Sequence, residues 1–226
     1  MTLLVRDIIY RGMRLLGAVD AAGAPSPQEM ADGMLAANTL KASWFGTLIG
    51  GRLSEQSVAV GAVQVQAENG GEYAIPGGLA YTVTVPANPR SGGRFGVVDA
   101  GLAFATTPCT VNPNGALING ATANLTLNVA GVGGRWWYRG DTANWVLEAD
   151  WTDPTNVIEF PEAVAAYFPH MLAIVFAAEF NTELRQDVIA AASEGRQVMA
   201  RTYAPGGRAS VAPPIGLPQA APAQQG

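Results

Sequence analysis

Between Ser57 and Trp151 the chain has the texture of short strands, and on both sides of that stretch it has the texture of helices. This order constrains the fold more than any single motif. Residues 2–16, TLLVRDIIYRGMRLL, set Leu4, Ile8 and Leu15 on one face with Val5, Ile9 and Leu16 beside it, which is helical spacing. Thr2 is the expected cap and Gly17 the expected stop. In GAPSPQEMADGMLAANTLKASWF, Ser26, Pro27 and Glu29 form a capping box with proline at the first helical position. The helix it starts is predicted to reach about Phe45, burying Met30, Met34, Ala37 and Trp44 or their neighbours, before Gly50 and Gly51 close it. Helical texture returns at Phe160, with Pro161 at the start and Glu162 in the first turn. Pro169 must break or kink that helix, because it lacks an amide donor and clashes with the preceding turn. A further helix is predicted from about Thr182 to Tyr203.

Two helices on either side are too few to bury their apolar faces unaided. The economical solution packs all four together and lets the strands branch off between the second and third. The expected class is α+β: a helical bundle formed by residues 1–52 and 158–203, with an antiparallel β-sandwich or small barrel inserted at 53–157. Residues 204–226 are rich in Pro, Ala, Gly and Gln, cannot bury a core, and are expected to form an extended tail.

Within the insert, SVAV, VQVQ, LAYTVTV, RFGVV, LTLNV and RWWYR read as strands, and ENGG, IPGG, NPRSGG, NPNG and GVGG read as turns. LAYTVTV alternates, with Leu79, Tyr81, Val83 and Val85 on one face; Leu125, Leu127 and Val129 do the same in NLTLNV. RWWYRGDTANW reads as a hairpin whose return strand begins near Trp145. Either Trp136 with Tyr138, or Trp137, is expected in the core; an exposed Trp136 or Trp137 would instead be a platform for stacking on a sugar. The Arg139–Gly140–Asp141 tripeptide reads as a good turn rather than an adhesion signal.

Only 14% of the 226 residues are charged, well below the usual quarter, so much of the surface is expected to meet other protein. Net charge is −5 and Lys41 is the only lysine. With no basic cluster, tight binding of nucleic acid is not expected, although DNA could slide past an acidic wall. Cys109 stands alone, which rules out an intrachain disulfide. No signal peptide is recognised, and the apolar run Met171–Ala178 is too short to span a bilayer, so a soluble protein made in a cytoplasm is expected.

No catalytic constellation can be assembled. His170, the sole histidine, has no identifiable partner, and Cys109 has no neighbouring histidine or CxxC motif. Phosphate-loop, nucleophile-elbow, zinc-protease and dinucleotide signatures are missing from the sequence. Asp150 and Asp153 flank a turn with too few oxygen ligands for calcium. Glu162, Glu179 and Glu183 are the acids a cell-wall hydrolase would have to use, and a solvated face accounts for them better. No cofactor and no metal are expected.

Residues 7–44 resemble the start of the head-to-tail adaptor proteins of short-tailed bacteriophages, the tail accessory or packaged-DNA stabilisation family. The shared pattern is a helix ending in Leu-Gly, a short loop, and a second helix with spaced Met or Leu and a terminal Trp. Residues 160–203 are similar to the second helical half of such adaptors. The segment 92–147, with FGVVDA, NPNG, ING and an aromatic strand, resembles a β-rich motif that recurs in phage virion proteins. The resemblance implies a non-enzymatic structural protein of the virion neck, assembled in the host cytoplasm. It implies about twelve copies in a ring beneath the portal protein, in contact with other tail or nozzle proteins and not with membrane. It further implies that the C-terminal segment, with Val211, Ile215 and Leu217, docks on the portal. A carbohydrate-binding tail component using Trp136 or Trp137 is the alternative.

Overall fold

The computed structural model describes residues 3–18, 23–59 and 61–203. Its element order is α1 (Val5–Leu15), α2 (Pro27–Thr47), β1 (Ser54–Ser57), β2 (Gln64–Gln66), β3 (Gly71–Ile75), β4 (Thr82–Thr84) and β5 (Arg94–Asp99). Then follow β6 (Cys109–Asn112), β7 (Leu117–Ile118), β8 (Leu125–Leu127), β9 (Gly134–Arg139), β10 (Asn144–Leu147), α3 (Glu162–Ala165), α4 (Phe168–Glu179) and α5 (Gln186–Tyr203). The fold is α+β with two mixed sheets.

The capping box forms as expected: Ser26 Oγ accepts from the Glu29 amide at 3.2 Å, and Glu29 Oε2 accepts from the Ser26 amide at 2.7 Å. α1 begins at Val5 rather than at residue 2, because Leu3 and Leu4 have another partner. Leu4 bridges to Val157; the Val5 amide donates to Asn156 O at 2.9 Å, and the Ile158 amide donates to Leu3 O at 3.0 Å. The chain returning from the strands is thus hydrogen-bonded to the start of the first helix. Thr2 lies outside the described residues. Pro169 acts where the sequence placed its effect, with α3 ending at Ala165 and Pro169 in the first turn of α4. α5 starts at Gln186, later than Thr182, because Asn181 takes a left-handed φ of 48° and the chain turns there.

α4 packs against α1, α2 and α5, so both ends of the chain contribute to one apolar cluster. Trp44 meets Phe160 and Phe168 edge-on at 5.5 and 4.5 Å, and Trp151 meets Phe168 at 5.5 Å. The helices approach closely where side chains are missing. A Cβ on Gly33 would lie 2.6 Å from Ile9 Cγ2, and one on Gly195 would lie 2.4 Å from Tyr167 Cβ. The stretch Glu162–Glu179 is by length and composition apolar enough to cross a membrane, and half of it is buried within the fold.

The sheets depart from the antiparallel expectation. One has the order β1-β3-β5-β9-β10-β7 and the other β2-β4-β6-β8. Pairs β1–β3, β3–β5, β2–β4, β4–β6 and β10–β7 are parallel; only β5–β9, β9–β10 and β6–β8 are antiparallel. From β1 to β9 successive strands alternate between the two sheets, and each of β1 to β4 pairs with the strand after next and runs in the same direction. The glycine-rich turns therefore carry the chain across to the other sheet instead of back along its neighbour. Only β9 and β10 form the hairpin read from the sequence, with Arg139 opposite Asn144.

Tyr73, Ile75, Tyr81, Val83, Phe95, Val97, Val111 and Trp145 fill the core shared by the two sheets. β1 lies at Ser54–Ser57 and overlaps the expected SVAV run only at Ser57, and none of the strands expected from the sequence falls at β3. Leu79 and Val129, expected to share a face with the other apolar residues of their strands, lie beyond the strand ends and are exposed.

Candidate functional site

Where the six-stranded sheet meets the helices, an open cleft of about 820 Å³ is bordered by Arg52, Glu72, Arg94, Arg135, Glu148 and Asp150. Arg94 lies on the face of β5 turned toward the helices and is almost wholly buried there. The guanidinium holds Glu148 in a two-pronged contact, Nε to Oε1 at 2.5 Å and Nη2 to Oε2 at 2.7 Å. The remaining terminal nitrogen, Nη1, donates to the carbonyls of Phe45, at 2.6 Å, and Gly51. Both side chains are under a tenth exposed, at 7% and 8%. A buried charge is tolerable only when paired and hydrogen-bonded, and this one ties β5 and the chain after β10 to the C-terminal end of α2.

The only lysine, Lys41 on α2, sits at the same rim. Its Nζ donates to Ala149 O at 2.5 Å, lies 4.0 Å from the centroid of the Trp151 ring and stands 3.9 Å from Glu159. Burial pushes the Lys41 pKa down, against the pull of Glu159, Asp150 and Glu148. One turn earlier, the Asn38 amide exchanges two hydrogen bonds with the Trp151 backbone, at 3.0 and 2.9 Å. α2 therefore grips the segment that leads from the last strand back to the helices. Also bordering the cleft, Arg135 Nε donates to Glu72 Oε1 at 2.6 Å. The cleft's buried cations are matched to carboxylates and carbonyls, so chemically it is a joint between helices and sheet.

The two tryptophans considered for stacking on a ligand are both 1% exposed. Successive residues of a strand point to opposite faces, and here both faces are covered. Trp136 enters the core between the sheets and stacks on Phe95 at 5.1 Å. Trp137 enters the helical core, stacked on Phe160 at 5.2 Å and edge-on to Tyr203 at 5.6 Å. Neither ring has a free face, and the choice between burying Trp136 or Trp137 resolves as both.

In the hairpin loop Arg139 and Asp141 pair with each other, Nη2 to Oδ2 at 2.5 Å, and the Gly140 amide donates to Ser91 Oγ at 3.1 Å. Cys109 is fully buried, and burial raises its thiol pKa to about 11, which keeps it protonated at neutral pH. His170 is half-buried in α4, and its Nδ1 has no hydrogen-bond partner among the described residues. Burial first, and then Arg11, lowers the His170 pKa. Glu162, Glu179 and Glu183 are all exposed, at the start of α3, at the end of α4 and in the loop beyond. Asp153 Oδ1 accepts from the amide and hydroxyl of Thr155, closing a turn. Among the described residues no group of three or more His, Cys, Asp or Glu side chains is placed to hold a metal ion. Val211, Ile215 and Leu217 lie outside the described residues.

Sequence reasoning missed the pairing of Arg94 with Glu148. The two residues are 54 positions apart, and neither belongs to a local motif. No family model matches the chain, and no curated protein matches it in sequence.

Proposed function

We propose that this chain is a structural virion protein, a ring-forming head-to-tail adaptor that joins the portal of a short-tailed bacteriophage to its tail and helps retain packaged DNA. One observation supports this reading above the rest. α1 and α2 share a single core with α4 and α5, although the whole β segment separates them in sequence. That is the arrangement implied by the resemblance of residues 7–44 and 160–203 to the two helical halves of adaptors.

On this reading the helices act as a four-helix bundle, and the two sheets form a sandwich-like side branch that contacts neighbouring copies or other tail proteins. About twelve copies close into a ring, as head-to-tail contacts do when their rotation closes. Val211, Ile215 and Leu217 are the residues that dock on the portal. The net charge of −5 suits a channel through which DNA passes without adhering. The protein catalyses no reaction and carries no cofactor.

Mixing the purified protein with a portal protein of a short-tailed phage, followed by gel filtration with light scattering, tests the proposal. Co-elution as one complex is the expected result. Two separate peaks at all ratios would remove the adaptor reading.

A further inference from the structure

The chain carries 13 basic and 18 acidic residues, yet none lies between positions 56 and 67 or between 100 and 134. These two uncharged tracts contain β2 and β8, the outermost strands of the four-stranded sheet. Among the described residues each has a neighbouring strand on one side only. Sheet edges are usually guarded by lysine, proline or another charge, because unpaired backbone groups recruit further strands. The edge strand β1 of the other sheet follows that habit, with exposed Glu55 in it and exposed Arg52 just before it. β2 and β8 do not. They are flanked instead by exposed apolar side chains, Val63 (39%) beside β2 and Val129 (55%) just after β8.

The backbone directions can be read from the ladder. Val63 O accepts from the Thr82 amide and the Ala67 amide donates to Thr84 O, both at 2.8 Å, so the alternate residues Gln64 and Gln66 turn their backbone groups outward. Likewise the Thr110 amide donates to Tyr81 O and Asn112 O accepts from the Val85 amide. That leaves Cys109 and Val111 to bond Leu127 and Leu125, and turns Thr126 outward. Within the sheet β2 runs antiparallel to β8, because β2, β4 and β6 are parallel and β6–β8 is antiparallel.

We infer that the β8 edge of one copy pairs with the β2 edge of the next, continuing the four-stranded sheet from subunit to subunit. A rotation about an axis along the strands leaves strand direction unchanged. The incoming β2 therefore meets β8 antiparallel, and the contact is head-to-tail, the type that closes rings. Absence of charge on both edges removes any repulsion across the contact, and the flanking valines are covered when it forms. Three-residue strands make each contact weak, and ring closure makes the set cooperative. The inference deepens the ring reading and rests on it.

Gln64→Pro and Thr126→Pro each delete one outward amide and leave the internal ladder intact. Wild-type protein is expected to give a closed oligomer by gel filtration with light scattering, alone or on the portal. Each variant is expected at the 23.4 kDa of a single chain. An equimolar mixture of the two variants should stop at a dimer, because it retains one open edge of each kind. Circular dichroism and thermal melts check that the variants fold. If either does not, Gln64→Cys and Thr126→Cys replace them, with disulfide dimers expected only when the two are mixed. Wild-type protein that stays monomeric under every condition, proline variants that assemble like wild type, or dimers from Thr126→Cys alone would overturn the inference. Edge-dependent oligomers that ignore the portal would sink the adaptor reading and leave the edge pairing standing. Portal-bound rings that survive both prolines would do the reverse.

Discussion

Arg94 and Glu148 face each other across the joint between helices and sheet, joined by two hydrogen bonds of 2.5 and 2.7 Å and almost closed off from solvent. The same guanidinium also holds two carbonyls, of Phe45 and Gly51, at the end of α2. Removing one member leaves the other buried without its partner, which typically costs about 3–5 kcal/mol. Glu148→Gln is therefore expected to lower unfolding free energy by that order in urea titrations. Arg94→Met combined with Glu148→Leu should recover part of the loss, since two apolar groups leave no orphan charge. A loss from Glu148→Gln below about 1 kcal/mol would show that the pair does not clamp the joint.

Trp136 and Trp137 are neighbours in sequence that stabilise different cores. Replacing either with alanine is expected to cost about 3–5 kcal/mol. The consequences differ. Trp137→Ala should raise hydrogen exchange in α2 and α5, whose Phe45 and Tyr203 it touches, while Trp136→Ala should raise it in β5 and β10. Identical exchange patterns for the two variants would contradict the division into two cores.

Asp99 is 3% exposed, and its carboxylate accepts from the amides of Ala103, Phe104 and Gly131 at 2.9, 3.0 and 2.9 Å. Burial alone would raise its pKa, but these backbone bonds outweigh burial and hold it below the ordinary carboxylate value. A depressed carboxyl contributes stability that is complete above the unfolded value, near 4, and is lost as pH falls through the folded value. Asp99→Asn is expected to cost about 1–3 kcal/mol at pH 7 and to flatten stability between pH 4 and lower values, measured by denaturation across that range.

His170 works in the opposite direction. Its folded pKa is lowered by burial and by Arg11 on α1, with Asp187 of α5 opposing. The unfolded state then binds the proton more readily, so stability falls as pH drops below about 6.5 and levels off under the folded value. His170→Gln should remove that slope in thermal melts between pH 7 and 5. An unchanged slope would mean that the ring is freely solvated.

Gly195 lets α5 lie against Tyr167, where a Cβ would come within 2.4 Å of Tyr167 Cβ. Alanine has the higher helix propensity, by roughly 1 kcal/mol on an exposed helix. Here the clash with a Cβ near the backbone wins, and Gly195→Ala is expected to destabilise by about 1–3 kcal/mol in calorimetry.

The sequence by itself determined what is local. Ser26 and Glu29 cap α2 through contacts three residues apart, Pro169 ends one helix turn and begins another, and Arg139 and Asn144 close the hairpin. Each depends on backbone chemistry within a few positions, and so each was legible. Tertiary structure decided the rest. The turn residues specify that the chain reverses but not which sheet it enters, so parallel winding was read as antiparallel. Alternation along RWWYR separates Trp136 from Trp137 but does not say that helices cover the second face. Arg94 finds Glu148 only because β5, β9 and β10 lie side by side and α2 ends above them. Such partners are chosen by distance in space, and a one-dimensional pattern carries no term for that.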